Sequence, residues 1–372
     1  MKSTALLFLT VLFAFLSMST AATDSTGQVF CYNGGVQHTG IYDSPPLEKL
    51  SKVKWRFPVE KGISSPPLVY RGIVYFGDWN GSFYAVDLQT GRRKWAFRAG
   101  LSVAGPPTIL GNIGYWGCSA GSLYAMNLKT GQPVWKFETE GAKRGSDGAI
   151  CFPPLVHDGF AYFTSHDSTL YKVDIKTGKL DKSFKAQNSM CSSPSLYKNT
   201  IYITDWSGHV YALDIKNLRL KWKFKAGGKV DHAPAIADGV GYFCSYDHFV
   251  YAIDLELGTV LWKFEADGPI SSDPAIYNGR VYFNTSGSHL YSLHAEYGRR
   301  IWDFKSDGEV DSKPAIAGNV LYFGSGDGHL YAFNADDGRI LWTFEAAGPV
   351  RNPTVYDRRV LFGSRIMLYM LE

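Results

Sequence analysis

The sequence has little that would suit a helical or a nucleic-acid-binding protein. It shows no amphipathic helical pattern and no run of basic residues, and its 38 basic and 34 acidic residues nearly balance. A nucleic-acid partner is therefore not expected, and no glycine-rich phosphate loop precedes a helix. What the chain does contain is ten Trp, 23 Tyr, 23 Phe and 39 Gly, a composition typical of an all-β repeat protein.

Long hydrophobic runs are also scarce. The single apolar run, Ala5 to Leu16, is too short to cross a bilayer, so no membrane span is predicted. Lys2 precedes it and the small residues Ser19 and Ala21 follow it, which predicts a cleavable signal peptide over residues 1–21. No cysteine comes directly after, so a lipid anchor is not expected. We expect a secreted or periplasmic protein that is a monomer.

Cysteine is sparse, and its five copies do not have the spacing of a metal site. No metal site is therefore predicted, and Cys118 and Cys244 are expected to be buried free thiols within strands. Cys151 and Cys191 each stand three residues before a proline of consecutive repeats, so they should lie close together. The sequence leaves open whether they form a disulfide, which export would permit.

A repeat of 40 residues dominates the chain, and three markers keep the same register. Each unit opens on a proline, has a tyrosine in its third strand and ends on Trp-x-Phe in its fourth strand. The final phenylalanines are Phe57, Phe97, Phe137, Phe184, Phe224, Phe264, Phe304 and Phe344. The spacing increases once, to 47 residues, through an insertion in the segment from Glu138 to Phe152, and that third unit has Lys182 in place of Trp.

The two ends of the repeat array complement each other. The last unit stops at Glu372 without a Trp-x-Phe strand, whereas Val53 to Phe57 is such a strand with no unit before it. We therefore predict an all-β, eight-bladed β-propeller of four-stranded antiparallel blades, closed by the N-terminal strand. The propeller should span residues 52–372, and residues 22–51 should form an irregular leader on its surface.

The repeat resembles the pyrroloquinoline-quinone-type (PQQ-like) propeller repeat, most clearly in Val74 to Phe97 and Leu321 to Phe344. The resemblance covers residues 53–372 and implies that the Trp of each blade docks onto a turn of its neighbour. The family includes quinoprotein alcohol dehydrogenases and the propeller subunit of the outer-membrane β-barrel assembly machinery, which is similar in length. This chain lacks the lipid-anchor cysteine of the second group.

The resemblance does not extend to the quinone site. Those dehydrogenases have an adjacent Cys-Cys pair over the quinone and long calcium-binding loops, and this chain has neither. We therefore expect no cofactor and no PQQ, although Asp273 and Asp311 could contact a calcium ion.

The variable residues are expected on one face, which carries the loops before the prolines and the turns between second and third strands. If a reaction occurs there, His232, Asp231 and Asp273 are the candidate catalytic residues, with His232 transferring protons near neutral pH. The candidate ligand-binding residues are Asp311, Lys313, Arg351, Trp79, Trp206 and Tyr246. Solvated acid–base pairs around a water-filled channel would produce the same pattern without a ligand.

Two classes of function follow. The first is an exported propeller that presents this face as a binding or scaffold surface for an envelope or extracellular protein or glycan. The second is an enzyme that acts on a small molecule at the polar mouth of the central channel, without being a typical quinone-dependent dehydrogenase. No motif in the sequence identifies a particular substrate or partner.

Overall fold

The computed structural model describes residues 29–31, 34–145, 147–309 and 312–372. Within them, eight antiparallel blades of four strands follow one another along the chain, and one of them carries an additional fifth strand. In the first seven blades the strands are paired in sequence order from the axis outwards, whereas the outer strand of the last blade comes from the N-terminal part of the chain. The prediction of an eight-bladed β-propeller is confirmed. The predicted signal peptide lies outside the described residues.

The first four blades have short inner strands of three residues and longer strands outside them. Their strands are Leu68–Tyr70, Ile73–Gly77, Ser82–Asp87 and Arg93–Arg98 (blade 1); Thr108–Leu110, Ile113–Cys118, Ser122–Asn127 and Pro133–Glu138 (blade 2); Leu155–His157, Phe160–Ser165, Thr169–Asp174 and Leu180–Lys185 (blade 3); and Ser195–Tyr197, Thr200–Thr204, His209–Asp214 and Leu220–Lys225 (blade 4).

The remaining blades repeat the pattern, and the last is completed from the N-terminus. Their strands are Ala235–Ala237, Val240–Cys244, Phe249–Asp254 and Val260–Glu265 (blade 5); Ala275–Tyr277, Arg280–Asn284, His289–His294 and Arg300–Lys305 (blade 6); Ala315–Ala317, Val320–Gly324, His329–Asn334 and Ile340–Glu345 (blade 7); and Val350–Val355, Val360–Ser364, Met367–Leu371 and Val53–Pro58 (blade 8).

Closure of the ring follows the prediction from sequence. Val53–Pro58 pairs antiparallel with Met367–Leu371 as the outer strand of blade 8, with Trp55 opposite Met370. The Lys54 ammonium adds an ion pair of 2.8 Å to the Glu372 carboxylate. The predicted composite blade is therefore confirmed.

The core consists of separate layers between neighbouring blades rather than one central mass. One buried cluster, for example, joins Tyr75 and Phe83 of blade 1 to Trp116 and Met126 of blade 2. Eight such clusters are found among the described residues, and each contains residues of two adjacent blades, including blades 8 and 1. Burial of apolar surface thus fixes every blade to both of its neighbours.

The Trp of each Trp-x-Phe strand links blades by a hydrogen bond as well as by packing. The Trp55 indole N–H donates to the Leu88 carbonyl at 2.8 Å, and Gly91 in the same turn lies under the ring. Gly91 has φ +67° and a Cβ there would lie 2.9 Å from Trp55, so both conformation and space require glycine. The same bond joins Trp95, Trp135, Trp222, Trp262 and Trp302 to the next blade.

Blade 3 contacts the turn of the next blade through residues other than tryptophan. It has Lys182 instead of Trp, and the facing turn of blade 4 has Leu218 at φ +57° instead of Gly. The Lys172 ammonium donates to the Lys216 carbonyl at 3.1 Å, and the Tyr162 hydroxyl donates to the Ile215 carbonyl at 3.2 Å. The turn is therefore still bonded to the preceding blade.

The N-terminal leader was predicted to lie on the surface, and for residues 29–31 and 34–40 this prediction is wrong. Val29–Phe30 pairs with the inner strand Thr108–Leu110 as a fifth strand of blade 2. Further along, carbonyls of the leader accept hydrogen bonds from the inner strands of blades 4 to 7; the donor–acceptor pairs are Leu196 to Val36, Ile236 to Gln37, Ile276 to Thr39 and Ile316 to Gly40. The leader satisfies inner-edge backbone groups that would otherwise face the channel.

The leader then leaves the axis and contacts the last two blades. The Trp342 indole N–H donates to the Leu47 carbonyl at 2.9 Å, as the other Trp residues do to turns. Leu47 thus replaces the turn that blade 8 lacks, because its outer strand comes from the other end of the chain. Among the described residues there is one α-helix, the four-residue Glu140–Lys143. No helix in this part of the chain is long and apolar enough to cross a membrane.

Candidate functional site

The two sets of loops predicted to share a face do meet around a cavity. We call this end of the propeller, with the loops before the inner strands and the turns between second and third strands, the loop face. Its cavity has a volume of about 260 Å³ and lies at the mouth of the channel. The lining includes Trp79 from a turn, Cys151, His232 and Lys313 from the loops before inner strands, and Arg351 from the start of the inner strand of blade 8.

The leader takes part in this cavity through His38. The side chain lines the cavity and is 5% exposed. Its burial lowers the pKa of His38 to about 4, although the Asp273 carboxylate opposes the shift. The imidazole is therefore neutral over the physiological range and makes that part of the mouth uncharged.

Beside His38 lies a compact group of charges that we call the mouth cluster: Asp231, His232, Asp273 and Lys313. The His232 Nε2 atom lies 3.2 Å from an Asp231 carboxylate oxygen, and Nδ1 lies 3.3 Å from an Asp273 carboxylate oxygen. The second Asp273 oxygen pairs with the Lys313 ammonium. Asp273 also accepts a hydrogen bond from the Ala233 backbone N–H at 3.0 Å.

The mouth cluster balances its own charge. Burial disfavours the imidazolium, but the Asp231 and Asp273 carboxylates outweigh it and raise the pKa of His232. Burial would likewise raise the pKa of Asp273, but Lys313 and His232 lower it well below its usual range. The two carboxylates thus face His232 and the Lys313 ammonium, and pairing of this kind is what lets charges remain buried.

A second group, the rim cluster, consists of Trp206, Tyr246 and Lys229. The Lys229 ammonium lies 4.1 Å from the centre of the Trp206 ring and 5.1 Å from that of Tyr246, within the range of cation–π contacts. It also pairs with the Asp231 carboxylate at 2.7 Å. Lys229 therefore connects the aromatic rim to the mouth cluster.

A third group, the thiol cluster, consists of Cys151, Cys191, His166 and Asp147. The Cys151 Sγ atom lies 3.3 Å from His166 Nε2, and His166 Nδ1 lies 2.9 Å from the Asp147 carboxylate. The sulfur atoms of Cys151 and Cys191 lie within 4.8 Å of each other. Both cysteines are free thiols here, so their predicted proximity is confirmed and the disulfide stays a prediction.

The thiols and the imidazole polarise one another. A hydrogen bond from Cys191 lowers the pKa of Cys151 to about 6 despite burial, and His166 acts in the same direction. The hydrogen bond to Cys151 in turn raises the pKa of His166 to about 9, again against burial. Both Cys151 and burial raise the pKa of Cys191. The predicted buried thiols Cys118 and Cys244 lie elsewhere and are confirmed as such.

The structure places most of the site residues predicted from sequence in the mouth cluster, in the rim cluster or in the wall of the mouth cavity. The predicted catalytic residues His232, Asp231 and Asp273 lie together with Lys313, and Arg351 and Trp79 line the same cavity. Trp206 and Tyr246 lie apart from the cavity, in the rim cluster. Asp311 lies outside the described residues.

Sequence reasoning placed His166 in a turn of the loop face without assigning it to a site, and it missed Asp147 and His38. The insertion between Glu138 and Phe152 carried a usable signal, because it brings Asp147 to the turn that holds His166. The insertion contains the helix Glu140–Lys143, and the Thr139 side chain caps its N-terminus by accepting a hydrogen bond from the Ala142 N–H. The Gly141 N–H donates a hydrogen bond of 3.0 Å to the Asp167 carboxylate. No pattern in the leader pointed to His38, because the leader lies outside the repeat.

The fold and the inter-blade tryptophan bonds define a PQQ-like β-propeller. The family described as outer membrane protein assembly factor BamB matches residues 48–224, 219–310 and 289–368. Since the match covers most of the chain, the chain belongs to this family. No curated protein sequence matches it significantly.

Solved structures show the same fold at low sequence identity. BamB from Moraxella catarrhalis is 17% identical with a TM-score of 0.75, and the match covers 87% of this chain and 100% of that one. Quinohemoprotein alcohol dehydrogenase from Comamonas testosteroni is 16% identical with a TM-score of 0.78, covering 90% and 79%. The computationally designed Ika8 protein is 16% identical with a TM-score of 0.75, covering 84% and 97%. These likenesses establish the fold and leave the function open.

Proposed function

We propose that this propeller presents its loop face as a docking surface for a protein of the cell envelope or the extracellular space. The observation that carries the proposal is Trp79, a large aromatic side chain that is 52% exposed at the edge of the mouth cavity. Exposed aromatic residues next to concave surfaces are the usual anchors of protein interfaces.

The size of the cavity supports a partner's side chain rather than a whole small molecule as the occupant. Pockets for drug-sized ligands typically have volumes of roughly 300–1,000 Å³. The mouth cavity, at about 260 Å³, falls below that range and suits one or two inserted side chains. Phe152 in its wall and the exposed Arg351 at its edge favour an apolar or acidic side chain.

The charge balance of the mouth cluster supports the same reading. Asp231 and Asp273 are already paired with His232, Lys313 and Lys229, so these groups are engaged within the protein. They then stabilise the shape of the mouth, and the exposed aromatic and cationic side chains around it make the contacts. The family description, an assembly factor for outer membrane proteins, agrees with a protein partner in the envelope.

The test is quantitative affinity purification from the envelope fraction with wild-type protein and two variants. Trp79→Ala should lose the specific partner, whereas Tyr297→Ala should retain it. Tyr297 is a matched control because it is 58% exposed and lies on the opposite face, in a turn between third and fourth strands. A protein retained equally by all three forms would contradict the proposal. Glycan-array binding that depends on Trp79 would assign a glycan instead.

A reaction at the mouth is the second candidate function. It is favoured by His232, whose imidazole lines the cavity with a carboxylate near each ring nitrogen. Such a histidine could exchange a proton with a bound small molecule, and Arg351 could hold an anionic group. If a turnover is found, His232→Gln and Arg351→Ala should abolish it while thermal unfolding shows an intact fold; full activity in both variants would exclude this site.

A further inference from the structure

The thiol cluster brings three metal-binding side chains to one point. Cys151 and Cys191 stand at equivalent positions before the inner strands of blades 3 and 4, and His166 lies in the turn between the second and third strands of blade 3. Their donor atoms, two Sγ and one imidazole nitrogen, all lie within 4.8 Å of one another. Two neighbouring blades therefore supply donors around a common centre.

The separation of the donors suits a tetrahedral cation. Zn–S bonds of about 2.3 Å and Zn–N bonds of about 2.0–2.1 Å at a tetrahedral angle place sulfur and nitrogen about 3.6 Å apart. The observed distance from Cys151 Sγ to His166 Nε2 is 3.3 Å. A shift of a few tenths of an ångström would admit the ion between them.

The second nitrogen of His166 gives independent support. Nδ1 lies 2.9 Å from the Asp147 carboxylate, which itself accepts a hydrogen bond from the Ala149 N–H at 3.1 Å. This contact fixes the ring with Nε2 directed at the thiols. Histidines that bind metals almost always use their other nitrogen in this way. A histidine with a packing role alone would not require Nε2 to be directed at the two thiols.

The type and number of donors select the class of metal. Two sulfur atoms and one imidazole suit zinc and similar transition-metal ions, whereas calcium and magnesium prefer oxygen ligands. The two thiolates also balance the charge of a divalent cation. Cys151 and Cys191 line the mouth cavity, so a fourth position can be filled by water or by a partner's side chain.

We propose that Cys151, Cys191 and His166 bind one zinc-class divalent cation at the mouth, with Asp147 positioning the histidine. This site is independent of the proposed docking function. It also differs from the expectation drawn from sequence, because the three ligands converge only through the stacking of two blades. A Cys151–Cys191 disulfide would remove both thiolates, so the site requires the reduced protein.

The experiment is a titration of reduced, chelator-treated full-length protein with Co²⁺, followed by displacement with Zn²⁺. We expect saturation at one equivalent, with the visible bands of tetrahedral Co²⁺ and a thiolate-to-cobalt charge-transfer band. Cys151→Ser, Cys191→Ser and His166→Ala should lose these features. Asp147→Asn should weaken affinity by roughly 10–100-fold, the usual effect of removing such a partner. Cys244→Ser, a buried thiol in blade 5, is the matched control and should bind normally.

X-ray absorption of the zinc-loaded wild-type protein tests the proposal without any variant. Two sulfur neighbours and one imidazole at zinc are the expected first coordination shell. The proposal is overturned if reduced protein takes up no cation or if the metal has only oxygen and nitrogen neighbours. Binding that survives Cys191→Ser and His166→Ala unchanged would also overturn it.

Discussion

At the scale of single residues, the mouth cluster explains how four ionisable side chains stay buried together. Asp273 is 1% exposed, and such a carboxylate is tolerated only where cations and hydrogen bonds replace its water. His232 and Lys313 provide the cations, and the Ala233 N–H provides a hydrogen bond. The stability of the mouth should therefore depend on pH.

The first prediction concerns that dependence through His232, which Asp231 and Asp273 face. Its pKa is raised in the folded state, so its stabilising effect is fully present below the unfolded-state value of about 6.5 and is lost as pH rises through the folded-state pKa. We expect the difference in unfolding free energy between wild type and His232→Gln to shrink with rising pH. Denaturant unfolding at a series of pH values measures it, and a constant difference would contradict this reading.

The repeat register allowed part of this site to be predicted. Asp231 and His232 in one unit, Asp273 in the next and Lys313 in the one after precede prolines, so their convergence on one ring followed from counting residues. The pairing of Asp273 with both His232 and Lys313 could not be predicted, because it depends on side-chain directions across two blade boundaries. The roles proposed for these residues in binding or catalysis stay predictions.

At the scale of elements, the Trp-x-Phe strand of one blade binds a turn of the next blade through its tryptophan side chain. Its indole packs on the glycine of the neighbouring turn and donates one hydrogen bond to that turn. The strand Val53–Pro58 does this for the closing blade, where no covalent connection joins it to Met367–Leu371. Ring closure therefore relies on these non-covalent contacts.

The second prediction tests that closure with Trp55→Ala. The ring is only half-buried, so we expect a loss of about 3 kcal/mol, the low end of the range for truncating large aromatic side chains. Trp55→Phe keeps most of the packing and should cost about 1 kcal/mol, the value of one hydrogen bond. Denaturant unfolding measures both, and an Ala variant as stable as wild type would show that blade 8 closes without Trp55.

The leader is the second element whose contacts can be tested, and Gly40 is its critical position. Gly40 has φ +75°, and a Cβ on it would lie 2.5 Å from the Ala275 Cβ. Gly35 has φ +89°, but a Cβ on it would meet no other atom within 4 Å. An alanine at position 35 would therefore have the same unfavourable backbone conformation as one at position 40, but no steric clash.

The third prediction compares these two glycines. Gly40→Ala should displace the leader from the inner strands, and hydrogen exchange of the Ile276 and Ile316 amides should then accelerate, because these donate to Thr39 and Gly40. Gly35→Ala should leave their protection close to that of wild type. Equal exchange in all three proteins would mean that the leader does not cover these strands in solution.

The leader also shows where pattern reading fails. Blades were predictable because alternating apolar residues and turn glycines recur with one period. The leader binds the inner strands mainly through backbone carbonyls at Val36, Gln37, Thr39 and Gly40, and backbone groups leave no mark in the order of side chains. A polar, glycine-containing segment was therefore assigned to the surface although it lies against the inner strands.

At the scale of the whole molecule, the propeller is a closed ring in which eight inter-blade cores hold a fixed loop face. At the opposite end, the turns with Gly91 and its equivalents bind the tryptophan side chains of the preceding blades. The loop face instead carries the cavity, the exposed Trp79, and the mouth, rim and thiol clusters. This asymmetry is the basis for placing the partner's contact on the loop face.

Site-specific photo-crosslinking in the cell envelope tests that claim most directly. p-Benzoylphenylalanine would replace Trp79 or Tyr246 on the loop face, or Tyr297 on the opposite face as the exposed aromatic control. The account predicts a discrete crosslink to one protein from positions 79 and 246 and none from position 297. Crosslinks from position 297 alone, or from none of the three, would contradict the assignment of the loop face as the docking surface.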